Sequence, residues 1–402
     1  MNMNLKTKTK EIKPEVETFV QIKVVGVGGS GGAVINRMQA DRIKGVDFIA
    51  VNTDAQALHN NLANTKIYIG KEVTKGLGAG MNPEIGREAA EESVDEIREA
   101  LKGSDLVFIT CGFGGGTGSG ASPIVAQVAH EVGALVIGVV TKPFSFEGAQ
   151  RKMIAERGLD ELSQRVDTII TIANDRILQI IDKKTSLLEA FGIVDDVLRQ
   201  GVKGIAELIT SSGEINVDFA DVKAVMSDAG SALMGIGVAT GENRAVEAAK
   251  AAIDSPLLEL SIDGARGILF TITGSKNLGM NEVNEAARII TSSADPNAKI
   301  IFGVVIDDNV REELKVTVIA TGFGNNGKVT ESKYQSSPNV LDFTPPVAPP
   351  SYKKDHIPQR IERDTIPANF DKSAPAPKTA NSTENNQDDE LEIPAFIRRK
   401  MM

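Results

Sequence analysis

The chain has 402 residues, with 44 Lys and Arg against 54 Asp and Glu, for a net charge of −10. That balance argues against a nucleic-acid binder held by backbone charge, and one Cys with three His leaves neither an internal disulfide framework nor a Cys/His zinc cluster. No run approaches the ~18 apolar residues of a membrane helix, and the charged start lacks the apolar core of a signal peptide. The expectation is a cytoplasmic protein with no nucleic-acid partner and no direct membrane insertion.

Residues 1–18 mix polar and charged side chains and read as a flexible tail. An apolar run at 20–27 predicts a strand, glycines follow at once, and a helical pattern covers 33–39. A strand is expected at 47–52, a helix at 83–101 with Pro83 near its start, and a strand at 105–110. A helix at 121–131 and strands at 135–140 and 166–172 complete the series. Strands alternating with helices of this size predict βαβ units and a mainly parallel sheet covered on both faces, here a domain over 19–185. Residues 186–210 read as one long central helix. Gly192, Gly201 and Gly204 lie inside it, each unfavourable by about 1 kcal/mol against Ala, which implies close packing against neighbouring backbone. A smaller α/β domain is expected over 222–322. Its helices fall at 222–234, 242–253 and 280–291, and its strands at 267–272, 300–306 and 314–320, in a mixed or parallel sheet. Nine of the 16 prolines lie between Pro345 and Pro394, so 323–387 reads as a disordered linker. Apolar and then basic residues return in 388–402, the layout of a docking peptide on a tether.

Two glycine loops carry the chemistry. Gly26-Val-Gly28-Gly-Ser30-Gly31 satisfies G-x-G-x-x-G between a predicted strand and a predicted helix, where unpaired N–H groups meet phosphate. Asp54 stands near the place of a ribose-binding acid in a dinucleotide site, so an NAD(P)-dependent oxidoreductase is one reading. The second loop, Gly112 to Gly120, has six glycines in nine residues. It predicts a nest of consecutive N–H groups, with Thr117 and Ser119 as added hydroxyl donors. Two such loops at neighbouring strand ends predict one di- or triphosphate clasped from two sides. There is no G-x-x-x-x-G-K-[ST], so N–H groups, helix ends and a cation must meet the charge, and Mg²⁺ fits that role. A third glycine stretch at 76–82 is placed to sense a γ-phosphate. Cys111 reads as a small core hydrophobe.

No histidine lies near the glycine loops in sequence. The best acidic group at a turn is Asn216-Val-Asp218-Phe-Ala-Asp221. Asp218 and Asp221, three apart at a predicted helix start, share one face. Helix capping and dipole complementarity account for them as readily as catalysis does.

Gly114 to Gly120 reads G-G-G-T-G-S-G, and around it stand Gly26–Gly32, Asn52-Thr-Asp54, Gly76–Gly86, Thr141-Lys-Pro-Phe-Ser-Phe-Glu147, Asn174-Asp175 and Asn216–Asp221. In order and spacing, over roughly 20–320, these resemble the bacterial FtsZ branch of the tubulin/FtsZ GTPase superfamily. Ile393–Arg399 is similar to the family's tail peptide. The resemblance implies a tubulin/FtsZ-like two-domain fold, a Rossmann-like GTPase domain joined by a central helix to a smaller α/β domain. It implies a GTPase that polymerises head to tail and builds the cytokinetic ring, with GTP/GDP and Mg²⁺ as cofactors.

By the same resemblance, Gly28, Gly29 and Gly114, Gly115, Gly116, Thr117 and Gly118 lie at the phosphates, with Asn52 beside them. Ala79 and Gly80 approach the γ-phosphate, and Glu147 and Arg151 the ribose and phosphate region. Phe191 stacks on guanine, and Asn174 and Asp195 read its edge. Asp218, Asp221 and Asn216 project from one subunit to complete the pocket of the next. The tail docks on membrane tethers and regulators such as FtsA and the Min-system inhibitor, which places the polymer at the inner membrane face at midcell. Ala173 departs from the family, where proline is common. A nucleotide-binding filament without turnover is the further alternative, disfavoured by the intact Asp218 and Asp221.

Overall fold

The computed structural model describes residues 20–323 apart from 42, 44, 183, 211–216, 259 and 308–309. The expected N-terminal tail, the docking peptide, nearly all of the linker, and Asn216 lie outside the described residues.

Six strands pair in parallel in the order β3-β2-β1-β4-β5-β6: β1 (Ile22–Val27), β2 (Val46–Asn52), β3 (Thr65–Tyr68), β4 (Leu106–Gly112), β5 (Leu135–Lys142) and β6 (Thr168–Ala173). Their apolar runs do not alternate because both faces are buried. Val24 and Phe108 pack with helices α1 (Gly28–Ala40) and α8 (Leu187–Thr210). Val25 and Ile109 pack on the other face with α3 (Pro83–Glu92), α4 (Val94–Leu101), α5 (Gly116–Glu131) and α6 (Ala149–Ser163). Short helices α2 (Ala55–His59) and α7 (Asn174–Ile177) follow β2 and β6.

After α8 come α9 (Phe219–Met226), β7 (Gly230–Ala239), α10 (Arg244–Ile253), β8 (Gly267–Gly274), α11 (Met280–Ser292), β9 (Lys299–Ile306) and β10 (Leu314–Thr321). This part of the sheet is mixed: β10 lies antiparallel between β7 and β8, and β9 is parallel to β8 at the edge. β7 joins β6 through the three pairs from Thr168 with Gly230 to Ile170 with Ala232, so the two parts share one sheet of ten strands.

The structure departs from the sequence expectations at definable points. α1 and α5 start at Gly28 and Gly116, inside the glycine loops rather than after them. The helix expected over 83–101 breaks at buried Ser93, whose φ of −114° and ψ of 19° leave the helical range. The helix expected over 222–234 ends at Met226. Asp228 and Gly230 then turn the chain with φ of 50° and 68°, and the rest is strand β7. Gly235 and Gly237 suit that strand because α10 lies almost against it. A Cβ at either would fall within about 2 Å of the Ala252 or Ala248 carbonyl oxygen. α2, β3 and α6 were not expected. Only Ala155, Gly158 and Leu162 are buried on α6, which is too sparse a stripe to read as periodic.

The three glycines of α8 meet side chains rather than the neighbouring backbone expected. A Cβ on Gly201 would lie 2.7 Å from Met234 Sδ, one on Gly192 3.1 Å from the Arg37 guanidinium, and one on Gly204 3.6 Å from Thr317. Cys111 is fully buried, and burial pushes its thiol up to about 12.

α3 crosses the start of α5 on glycine. A Cβ on Gly86 would stand 2.3 Å from the Gly116 carbonyl oxygen, which is backbone and cannot swing aside. Gly86→Ala is therefore expected to destabilise the fold by about 1–3 kcal/mol, read as a lowered urea midpoint of the nucleotide-free protein.

Candidate nucleotide site

A cavity of about 340 Å³ opens at the carboxyl ends of β1, β4, β5 and β6. Its floor is the start of α1 (Gly28, Gly29, Ser30) and the start of α5 (Gly115, Gly116, Thr117, Gly118). First-turn N–H groups have no intrahelical acceptor, and the helix dipole adds partial positive charge there. Gly28 turns the chain out of β1 with a φ of 74°, and a Cβ on it would lie 3.1 Å from the Gly118 nitrogen. The two helix starts thus touch, and both line one cavity fit for an anion. The Gly116 N–H donates to the Gly80 carbonyl at 2.8 Å, which ties the glycine stretch after β3 to the start of α5. The Thr117 and Thr53 hydroxyls lie 2.6 Å apart.

The wall is built by β5, β6 and α8. Arg151 donates to Glu147 at 2.7 Å, and the other oxygen of Glu147 accepts the Phe144 N–H at 2.9 Å. Asn174 is buried at the start of α7, and its Oδ1 has no hydrogen-bond partner among the described residues. A buried acceptor without a donor is unfavourable, and this one borders the cavity. Phe191 is half exposed and meets Phe144 edge to face at 5.5 Å. Asp195 accepts from Arg37 Nε at 3.0 Å. Burial pushes its carboxyl above the usual carboxylate range, and the Arg37 guanidinium pulls it part of the way back. Ala173 holds a φ of −79°, which proline also adopts, so its place before Asn174 keeps the backbone course.

Most sequence-predicted residues meet here: Gly28, Gly29, Gly80, Gly115 to Gly118, Glu147, Arg151, Asn174, Phe191 and Asp195 all line the cavity. Three do not. Asn52 is buried behind α1 and accepts the Asp54 N–H. Ala79 is buried beneath Gly80, and its carbonyl accepts from Asn82. Gly114 lies under the rim, where its N–H donates to Ser119 Oγ. Near-complete burial outside the cavity lining removes Ser119 as a phosphate donor. Asp54 caps α2, accepting from the Gln56 and Ala57 N–H groups, and lies outside the cavity lining. Sequence reasoning assigned no role to Ser30, Thr141, Pro143 or Val194, which also line the cavity. Thr141 and Pro143 stood in a quoted motif, but Val194 follows only from its place one turn after Phe191.

Asp218 and Asp221 lie elsewhere. α8 contributes Phe191 and Asp195 to the cavity in its first turns, then runs on for about 22 Å to Thr210. α9 is pinned at the opposite sheet edge. Its Met226 carbonyl accepts from Thr168, the first residue of β6, and its Val225 carbonyl accepts from Thr321 at 3.2 Å. Both carboxylates are exposed on the first turn of α9, and Asp218 makes no side-chain cap bond.

Two helix starts converging on one cavity at the carboxyl edge of a parallel sheet define a nucleotide-binding α/β protein whose phosphates are met mainly by backbone N–H. The pattern of the tubulin/FtsZ family GTPase domain matches residues 21–182, and that of the FtsZ family C-terminal domain matches 230–324. The chain is 48% identical to FtsZ of M. jannaschii, in an empty dimer. That match covers 76% of this chain and 89% of the other, with a TM-score of 0.74. CetZ2 from Haloferax volcanii, in a GTPγS-bound protofilament, shares the fold at 23% identity, with 75% and 92% coverage and a TM-score of 0.63.

The chain belongs to the tubulin/FtsZ family. It is a GTP-hydrolysing, polymer-forming cytoskeletal protein that uses GTP/GDP with Mg²⁺. The oxidoreductase reading falls with this finding and with the capping role of Asp54.

The residues present fit that nucleotide. The helix starts suit phosphate, and the orphaned Asn174 oxygen and the Asp195 carboxylate suit the donor edge of guanine. Both cavity carboxylates already pair with arginine, and no group of three or more His, Cys, Asp or Glu gathers among the described residues. Mg²⁺ therefore suits a place on phosphate oxygens and water. Replacing Arg37 by Met removes the cation that lowers the Asp195 pKa, so the carboxylate protonates at a higher pH. The fall in GDP affinity on acidification is then expected to begin at higher pH than in the wild type, as followed with a fluorescent GDP analogue.

Proposed function

We propose that subunits stack head to tail so that α9 of one subunit completes the nucleotide cavity of the next. The observation that carries this reading is the separation within one chain: the acidic pair assigned to catalysis sits at the amino ends of the parallel strands, whereas its own cavity opens at their carboxyl ends. A head-to-tail contact between different surfaces does not close and grows into a filament. Within each cavity, Gly28, Gly29 and Gly115 to Gly118 hold the phosphates, with Asn52, Ala79 and Gly114 supporting them from behind. Gly80 meets the γ-phosphate. Glu147 and Arg151 reach the ribose and phosphate region, Phe191 stacks on the base, and Asn174 and Asp195 accept from its donor edge. Adenine offers no matching donor pair. Asp218 and Asp221 from the neighbour orient and polarise the attacking water, with Asn216 steadying the loop, so hydrolysis waits on assembly. Loss of the γ-phosphate frees Gly80 and with it Leu77, which is 88% exposed three residues earlier, and weakens the contact.

The domain boundaries at 19–185, 186–210, 211–221 and 222–322 belong to this reading. So does a cytoplasmic polymer recruited to midcell as the cytokinetic ring, through 388–402 bound to FtsA-like tethers and Min-type regulators.

Turnover per subunit is expected to appear only above a threshold protein concentration, with GTP and not ATP, together with a rise in light scattering. A rate constant down to dilute protein would move catalysis away from α9. Asp221→Ala should leave GDP affinity nearly unchanged and abolish turnover. Mixing it with a variant defective in GTP binding should restore part of the rate, and verified mixed filaments without any rescue would end the shared-site reading. Removal of 388–402 should spare polymerisation and abolish recruitment to tether-bearing vesicles.

A further inference from the structure

β9 ends the ten-stranded sheet and pairs with β8 alone among the described strands. The opposite edge, β3, is four residues long and carries Lys66, which is the usual protection of a sheet edge. β9 is eight residues long, Lys-Ile-Ile-Phe-Gly-Val-Val-Ile, with one charge, no proline and Ile300 exposed. Its hydrogen-bonding parity is fixed. The Lys299 N–H donates to the Arg266 carbonyl and the Asp307 N–H to the Gly274 carbonyl, so odd residues face β8 and even residues turn their N–H and C=O outward.

We propose that this edge pairs with β9 of a second copy of the chain, antiparallel and about a two-fold axis at Gly303. The register is self-complementary in three respects. Ile300 stands opposite Ile306 of the second copy, and Phe302 opposite Val304, so outward-facing residues exchange backbone hydrogen bonds as an antiparallel pair requires. Ile301 faces Val305, and Gly303 faces Gly303 at the axis, where the absent side chain leaves the two backbones room. Lys299 faces Asp307 at each end, so charge is complementary at both ends of the contact. Shifting the register by one residue would set inward-facing groups opposite outward-facing ones. Shifting it by two would lose the charge match.

Such a contact is isologous and closes on two copies. In a polymer-forming chain the same edge recurs at every subunit, and a weak contact repeated along two filaments holds them side by side. The contact therefore pairs filaments and does not extend them.

Lys299→Asp sets carboxylate against carboxylate at both ends. It is expected to reduce paired filaments, counted by electron microscopy and low-speed pelleting, about fivefold or more, with concentration-dependent GTP turnover unchanged. The exchange Lys299→Asp with Asp307→Lys should restore pairing. Three results would overturn the proposal. One is pairing in Lys299→Asp at the wild-type level. Another is loss of turnover together with pairing, which would put β9 in the head-to-tail contact. The third is protection of the outward-facing Ile300, Phe302, Val304 and Ile306 amides from hydrogen exchange already in the wild-type monomer, which would mean another part of the chain covers the edge.

Discussion

Two helix starts that touch repel each other electrostatically unless an anion lies between them. α1 and α5 touch at Gly28 and Gly118, and glycine is what permits the approach. The fold thus creates a positive cleft that it does not itself neutralise, and the phosphates of the nucleotide are the missing part. Everything around the cleft follows from this constraint. α3 must cross α5 at Gly86, the glycine stretch after β3 must supply the Gly80 carbonyl to the Gly116 N–H, and the wall must carry arginines already matched with carboxylates.

α8 carries the cleft's condition into the rest of the molecule. Its first turns hold Phe191 and Asp195, and Asp195 ties it to α1 through Arg37. Farther along, Arg199 pairs with Asp41 just past the end of α1. Gly201 seats Met234 of β7, and Gly204 meets Thr317 of β10. Beside this seam Lys315 is mostly buried. Burial and the neighbouring Lys203 and Arg199 push its pKa down to about 8, against the opposing pull of Glu207 and Asp41. The seam between α8 and the C-terminal strands therefore carries charged groups beside its apolar contacts.

Five of the six parallel strands were legible because apolar runs buried on both faces are unambiguous. β3, four residues with two exposed, was not. α8 was legible because its apolar positions recur over 24 residues. Glycine hid the helix starts. Gly116 to Gly120 has the composition of a loop, yet each of its three glycines sits where a neighbouring backbone leaves no space for a side chain. The stretch 222–234 failed for the opposite reason. Val222, Val225 and Met226 are truly helical, and the small residues after Gly230 prolong an apolar run whose period is that of a strand. Of the site, the phosphate floor could be read from glycine spacing alone. Phe191, Asn174 and Asp195 could not, because a partly buried aromatic, an amide and an acid in ordinary helices carry no local mark. The resemblance to a family supplied them, and Asp54 shows the converse, an acid in a suggestive place whose work is to cap a helix.

The length of α8 has a consequence for the two tips of a filament. If each cavity is completed by the α9 of a neighbour, a row of subunits always contains one cavity with no α9 above it and one α9 with no cavity below it. The tips then differ in chemistry as well as in shape. One holds unspent triphosphate behind an open door, free to exchange with the surrounding pool. The other ends on a joint whose fuel is exposed to attack. A polymer built this way has a clock in every internal joint and none at its nucleotide-bearing tip.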